Sequence, residues 1–185
     1  TAAIEDPATI ALANTAMAGT YNVTVTDSKG CKATATTAVV VNPLPTITMG
    51  SSPTVCAGST TASILYTATT GSPTTYSIDY DDTAEAAGFV DVASTTLLLN
   101  PITLAVPANA AAGTYNASIT VTNANGCTGR ASFSVTITGL PIAAIAGVTS
   151  YCGVTASPSA LTASGGVTYA WSTGATTAAI TPVTS

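Results

Sequence analysis

The sequence predicts an all-β protein made of tandem β-sandwich domains with immunoglobulin-like topology, one complete and two partial. First, apolar and polar side chains alternate over many short stretches, as they do in strands with one buried face. Second, turns rich in Gly, Pro, Asn and Ser separate these stretches. Third, a phrase that begins Gly-Thr-Tyr-Asn and ends Gly-Cys occupies residues 19–31 and returns at residues 113–127. A phrase that recurs in this way indicates a repeat array.

The predicted elements follow in order along the chain. A first hairpin has strands at residues 21–26 and 33–41, joined by a turn at residues 27–30. Strand candidates then come at residues 46–49, 63–68, 75–80, 89–92, 96–99 and 102–106. The acidic, Ala-rich stretch 81–88 is long enough for one helical turn. The second copy of the phrase, with its return strand at residues 132–138, forms the last hairpin.

The four cysteines set the period of the repeat. Cys31 and Cys56 are 25 residues apart, as are Cys127 and Cys152, and each pair recurs after 96 residues. A Leu-Pro pair follows both Cys31 and Cys127 at the same distance. This period predicts three segments, which are the back half of a preceding repeat over residues 1–42, a complete domain over residues 43–140 and the front half of a following repeat over residues 141–185.

The two partial segments predict assembly. Neither half buries its apolar face alone, and residues 1–44 complement residues 141–185 in length. We therefore expect a head-to-tail array in which the front half of one copy is completed by the back half of the next. Covalent joining and strand exchange between copies both satisfy this expectation. The alternative is a soluble fragment with frayed ends.

The cysteines predict disulfides. Cysteines spaced evenly through β-repeats, in a chain without histidine, are typical of an oxidising compartment. We expect Cys56 to bond Cys127 inside the complete domain, and Cys31 and Cys152 to bond across neighbouring repeats or copies. Reduced, buried thiols are the alternative. Zinc is disfavoured because the sequence has no C-x-x-C pair and no histidine.

Composition excludes several classes of function. Charged residues make up 6% of the chain and the net charge is −5, which disfavours nucleic acid and anionic membrane surfaces as partners. No apolar run is long enough for a membrane span, and any export signal lies outside the sequence. Without histidine the usual base for a nucleophile is missing, and no phosphate-binding loop is present. The sequence therefore predicts a protein that is not an enzyme and has no cofactor.

One acidic cluster is a candidate metal site. Asp79, Asp81, Asp82 and Glu85 fall close together, and alternation along a strand places Asp79 and Asp81 on the same side. Paired carboxylates suit a hard cation such as Ca²⁺. A solvated loop tip and a glycosidase-like carboxylate pair are the alternatives.

Three phrases carry a family resemblance: Gly-Thr-Tyr-Asn-Val-Thr-Val-Thr-Asp-Ser-Lys-Gly-Cys, Val-Asn-Pro-Leu-Pro and Tyr-Ala-Trp-Ser-Thr-Gly-Ala-Thr-Thr. They resemble the PKD-like and Ig-like tandem repeats of giant type IX-secreted surface adhesins of gliding bacteria. The resemblance covers essentially the whole chain, although residues 79–96 replace the Trp-Ser-Thr-Gly segment with a longer one. It implies an extracellular location on the cell surface. Thr83 also lies in a motif that resembles the O-glycosylation sequon of the same bacteria.

Two functions follow from these observations. The first is a structural repeat module of a bacterial surface fibre or adhesin stalk; the second is a glycan- or protein-binding adhesin module. Most aromatic residues fall on alternating strand positions, which favours the first. Tyr21 and Tyr115 each suit either a tyrosine corner or an ordinary core position. Trp171 suits either a core position near a disulfide or a ligand-stacking surface.

Overall fold

A computed structural model of the chain describes residues 13–97, 100–150 and 158–182. The chain divides into two compact units, Thr1–Ile137 and Thr138–Ser185. The secondary structure in both is almost entirely β, as the sequence predicted. The boundary between the units falls within a few residues of the predicted start of the following repeat at residue 141.

The first unit opens with a hairpin. Strands β1 (Gly19–Thr26) and β2 (Lys32–Val39) follow a short 3₁₀ turn at Thr15–Met17 and pair antiparallel over their whole length. The Asp27 carboxylate closes the turn by accepting hydrogen bonds from the N–H groups of Lys29 and Cys31, both at 2.8 Å. Gly30 has φ = +87°, which a glycine adopts without strain. The hairpin predicted from alternation and turn residues is therefore present.

After the hairpin, the described residues of the first unit form nine strands and one short helix. In chain order these are β3 (Thr46–Met49), β4 (Thr54–Cys56), β5 (Thr61–Ile64), β6 (Tyr66–Thr70), β7 (Pro73–Tyr80), α1 (Asp82–Ala86), β8 (Val92–Thr96), β9 (Ile102–Ala105), β10 (Gly113–Asn123) and β11 (Thr128–Thr138). Strands β4-β11-β10-β7-β8 form a five-stranded sheet in that order. Strand β3 pairs with β6, and β5 pairs with β9.

These sheets share one hydrophobic core. Alternate residues of β10 are buried, and Ile119 and Val121 at its centre are fully enclosed. They join Ile64 of β5 and Leu104 of β9 in the same core cluster. Fully burying a side chain of this size contributes roughly 1.5–3 kcal/mol. Because the apolar faces of separate sheets meet in one core, this part of the chain is a β-sandwich.

The longer segment at residues 79–96 covers one end of this core. Helix α1 buries Ala84, and the Phe89 ring that follows it packs between the tilted rings of Tyr80 and Tyr115, with ring centroids 5.0 and 4.9 Å away. The helical turn predicted within residues 81–88 is therefore present. The strand predicted at residues 89–92 is not, because Phe89 turns inward to fill the core and pairing begins at Val92.

The second unit repeats part of the sandwich. Its strands β12 (Ala144–Ala146), β13 (Leu161–Ser164) and β14 (Ala179–Ile180) form one sheet in that order. Ala144 pairs with Ser164, as Thr48 pairs with Ala68 between β3 and β6. Ala144 and Ser164 each lie 96 residues after their counterparts Thr48 and Ala68, so the period of the cysteines is also the period of strand pairing.

Leu104→Ala tests the shared core. Leu104 is 1% exposed, and its truncation should lower the free energy of unfolding by about 2–5 kcal/mol because it leaves a cavity. The matched control is Thr103→Ala, at the exposed neighbouring position of the same strand. Chemical denaturation followed by circular dichroism measures both; equal effects of the two variants would contradict a core between β9 and the five-stranded sheet.

Candidate functional site

The β1–β2 hairpin has the same turn as the β10–β11 hairpin. Asn123 Oδ1 accepts hydrogen bonds from the N–H groups of Asn125 and Cys127, both at 3.0 Å. The Asp27 carboxylate does the same at residues 29 and 31. In each turn the residue with the accepting side chain also donates its own N–H to the carbonyl of the cysteine. Asp27 and Asn123 therefore occupy equivalent positions.

Both hairpins also contain a tyrosine corner. The Tyr21 hydroxyl donates to the carbonyl oxygen of Met17 at 2.9 Å, and the Tyr115 hydroxyl donates to that of Ala111 at 2.8 Å. Each bond reaches back four residues to the segment that leads into the strand. The tyrosine-corner interpretation is thus the right one for both residues, and Tyr115 is a core residue as well. Between the tyrosine and the turn, β1 is two residues shorter than β10. Because side chains in a strand alternate with a period of two residues, this difference leaves the same face apolar.

The two hairpins differ in what covers that apolar face. In the sandwich, Tyr115, Ile119 and Val121 are buried. In the first hairpin, Tyr21, Val23 and Val25 are 52, 55 and 59% exposed. We call this uncovered surface, with Ala33, Ala35, Thr37 and Val39 of β2, the hairpin face. A strand pair formed to bury one face therefore presents it to solvent.

An apolar groove lies at the tyrosine end of the hairpin face. It has a volume of about 310 Å³ and is lined by Ala13, Met17, Tyr21, Val39 and Val41. None of these side chains carries a charge. The groove suits an apolar side chain or strand and offers nothing to a charged ligand.

The turn end of the hairpin differs from its counterpart at two positions. The Asn123 side chain is 6% exposed, and its Nδ2 donates to the carbonyl oxygens of Pro43 and Gly71, each at 3.3 Å. A carboxylate at that position has no hydrogen to donate. Gly129 approaches the Pro45 carbonyl so closely that a Cβ would collide with it. Counting from the cysteines, Ala33 stands at the position of Gly129.

In the second unit, the apolar surface centres on the only tryptophan of the chain. A cleft of about 270 Å³ is lined mainly by small and apolar residues, among them Ile145, Ala163, Tyr169 and Trp171. Trp171 is partly exposed, and its Nε1–H donates to the Thr177 carbonyl at 2.8 Å. This surface, which we call the tryptophan cleft, leaves both interpretations of Trp171 open.

The predicted disulfide between Cys56 and Cys127 does not form. Cys31, Cys56 and Cys127 are free thiols in this structure. Two hydrogen bonds show how the segment that leads into β4 lies against β11. The Thr136 N–H donates to the Pro53 carbonyl at 2.9 Å, and the Ser134 N–H donates to the Ser52 hydroxyl at 3.1 Å.

The order of these two bonds shows that β4 runs alongside β11 in the same direction. Cys56 therefore lies towards the end of β11, whereas Cys127 precedes its first residue. A strand of this length separates them by roughly 30 Å, and a disulfide needs Cα atoms within about 7 Å. Cys152 lies outside the described residues, so its predicted bond with Cys31 stays a prediction.

The four acidic residues proposed as calcium ligands have separate partners or positions instead. Asp79 forms an exposed ion pair with Arg130 at 3.1 Å. Asp82 and Glu85 lie in the first turn of α1, beside exposed Thr83. Within residues 13–97, 100–150 and 158–182, no three His, Cys, Asp or Glu residues come together as a metal site. The four acidic residues are therefore not gathered around one cation position here, and calcium binding and glycosylation of Thr83 both stay predictions.

Asp81 has a structural role that the sequence did not reveal. One carboxylate oxygen accepts from the Ala84 N–H at 2.8 Å and caps α1, and the other accepts from Asn116 Nδ2 at 3.0 Å. The bond from Ala84, followed by that from Asn116, lowers the pKa of Asp81. The residue thus joins the helix to β10. Its signal in the sequence was Asp before a short Ala-rich stretch, a common helix N-cap.

No protein-family model matches the chain, and no curated protein matches its sequence. In the part of the chain that the structure describes, no helix has the length and apolar character that a membrane span requires.

Asn123→Asp tests the difference between the two turns. The substitution removes two hydrogen bonds and places a carboxylate beside two carbonyl oxygens, so the free energy of unfolding should fall by about 1–3 kcal/mol at neutral pH. Burial disfavours the charged form and raises the folded-state pKa of the new carboxyl. The loss should therefore shrink as the pH falls through that pKa.

Thermal unfolding of the Asn123→Asp variant between pH 3 and pH 7 measures both effects. Asp27→Asn is the control, because its side chain is exposed and lacks those carbonyl partners. At pH 7 its unfolding midpoint should stay close to that of the wild type, because an amide oxygen accepts the same two N–H bonds. An Asn123→Asp variant as stable as the wild type at pH 7 would show that the two carbonyl contacts contribute nothing.

Asp81→Ala tests the helix cap. The variant should unfold at a lower temperature at pH 7, because α1 loses its N-cap and Asn116 loses its acceptor. The depressed pKa means that this stabilisation is present above the unfolded-state pKa of Asp and is lost as the pH falls through the folded-state value. Asp81→Asn should retain most of the midpoint, since Asn also caps helices. If the two variants unfold alike, the cap does not stabilise the domain.

Proposed function

We propose that the chain is a structural repeat module of an extracellular bacterial surface fibre or adhesin stalk, assembled head-to-tail. The observation that carries this proposal is the repeat of strand pairing after 96 residues between the two units. The matching turns and tyrosine corners of the two hairpins support it. A chain that repeats a partial sandwich on each side of a whole one is suited to forming a linear array.

Strand order supports the immunoglobulin-like part of the proposal. Strand β3 pairs with β6, and β4, which follows it directly, pairs instead with β11 on the other sheet. A first strand divided between both sheets, with a tyrosine corner on the strand before the last, fits immunoglobulin-like sandwiches. The extracellular surface location rests on the family resemblance and on the low charge of the chain.

The chemistry of the described side chains is better suited to a structural role than to catalysis. The chain has no histidine, Asp81 caps a helix and Asp79 pairs with Arg130. The Asp91 carboxylate accepts from the Tyr80 N–H at 2.9 Å and helps to hold the segment after α1. Burial, followed by the negative charge of Asp91, raises the pKa of Tyr80 to about 12, so its hydroxyl stays protonated at neutral pH.

A second candidate function is binding of a glycan or a protein. It is favoured by the tryptophan cleft, where Tyr169 and Trp171 line the same concave surface. Aromatic side chains beside small residues form common platforms for sugar rings and for apolar protein segments. A glycan array probed with the purified chain tests this candidate, and Trp171→Ala is its control.

Immunoelectron microscopy of intact cells of the source organism tests the structural proposal. Antibodies raised against the chain should decorate extended surface fibres at regular intervals. Pre-incubating the antibodies with purified chain should remove the labelling. Label found only inside lysed cells, or scattered over the surface without fibres, would contradict a role as a repeated fibre module.

A further inference from the structure

The β10–β11 hairpin shows how a hairpin of this type is covered. Its apolar face packs against β5 and β9 in the core, and the edge of β10 pairs with β7. In that pairing Ile119 lies opposite Ile78, and Val121 lies opposite Tyr76. The chain thus contains one complete example of the contact that the hairpin face lacks.

The hairpin face matches the covered face at the two apolar residues of β1 nearest the turn. Counting back from the equivalent turn residues Asp27 and Asn123, Val25 corresponds to Val121 and Val23 to Ile119. The tyrosine that follows on the same face makes the same corner bond in both hairpins. Apart from Asp27 in the turn, no charged residue lies on the face. A cover of the kind found in the sandwich therefore fits it except at Ala33, whose Cβ needs more room than Gly129 has beside the Pro45 carbonyl.

The second unit repeats the elements that form such a cover. Strand β13 lies between β12 and β14. In the sandwich, the segment 61–70 has a similar place, because its strand β6 pairs with β3 and its strand β5 pairs with β9. Tyr169 and Trp171 are two residues apart, as Tyr76 and Ile78 are on β7, although residues 165–178 form no strand in the unit by itself. Both aromatic residues line the tryptophan cleft.

We propose that the hairpin face of one copy docks on the second unit of another copy, where it takes the place that β10–β11 takes in the sandwich. Val23 then lies opposite Trp171, and Val25 lies opposite Tyr169. This inference rests on the proposed head-to-tail assembly and names its interface. The occupant is a second copy because both the template and the repeated elements belong to this chain.

Asp27 gives the docked state a feature that the sandwich does not have. In the docked arrangement its side chain occupies the position from which Asn123 donates to two carbonyl oxygens. A carboxylate facing carbonyl oxygens weakens the contact at the turn end. Asp27→Asn should therefore strengthen association while it keeps the turn, because an amide oxygen accepts the same two N–H bonds.

Trp171 makes the interface directly measurable. As the only tryptophan, it is the sole source of indole fluorescence in the full chain. Sedimentation velocity over a concentration series, with fluorescence recorded on the same samples, should show association accompanied by a blue shift of the emission. The shift is expected because docking moves a partly exposed indole out of water.

Val23→Asp should weaken association by at least about tenfold and remove the blue shift, since it buries a charge at the centre of the contact. Thr24→Asp adds the same charge on the opposite face of β1 and should leave both unchanged. Circular dichroism should show equal unfolding midpoints for the two variants, because β1 and β2 form a sheet separate from the sandwich. Asp27→Asn should strengthen association by roughly fivefold or more.

The outcomes separate this interface from the assembly itself. Association with a Trp171 shift that Val23→Asp abolishes supports the docking. Association without that shift, or with equal loss in both Asp variants at residues 23 and 24, overturns the docking and leaves head-to-tail assembly through another surface. A chain that stays monomeric at all concentrations overturns the docking as well, while labelled fibres on cells would still support a fibre joined covalently.

Discussion

Burial of the apolar face of the β10–β11 hairpin is the interaction on which the sandwich depends. Strand β10 lies at the centre of the five-stranded sheet, and its inward side chains join the core residues of β5 and β9. Asp81 ties one end of the hairpin to α1, and Asn123 ties the other end to the segments before β3 and after β6. Every layer of the domain thus touches this one hairpin.

Local patterns explain why the hairpins were predictable. Alternation over a few residues sets which face is apolar, and an Asp or Asn followed by a glycine near the cysteine sets the turn. Both signals act between neighbours in the sequence, so they survive whether the hairpin is covered or not. The period of 96 residues was also visible, because equivalent strands need equivalent side chains at their pairing positions.

Contacts between distant segments explain what the sequence could not predict. The cysteine spacing says that two repeats are alike, but the direction in which β4 runs along β11 decides whether two thiols can meet. The acidic residues give a second example. Alternation placed Asp79 and Asp81 on one side of the strand, yet their partners Arg130 and Asn116 come from strands far along the chain. Partners of this kind are set by the packing of the whole domain.

The local contacts of the first hairpin form without any cover over its apolar face, and this has a kinetic consequence for the hairpin face. The β1–β2 ladder, its turn and its tyrosine corner are all formed although the face is uncovered. The conformational entropy of ordering these residues is therefore lost before any partner arrives. In the docking proposed above, a surface prepared in this way would bind as a rigid body, and its association rate would be limited by orientation and diffusion rather than by folding.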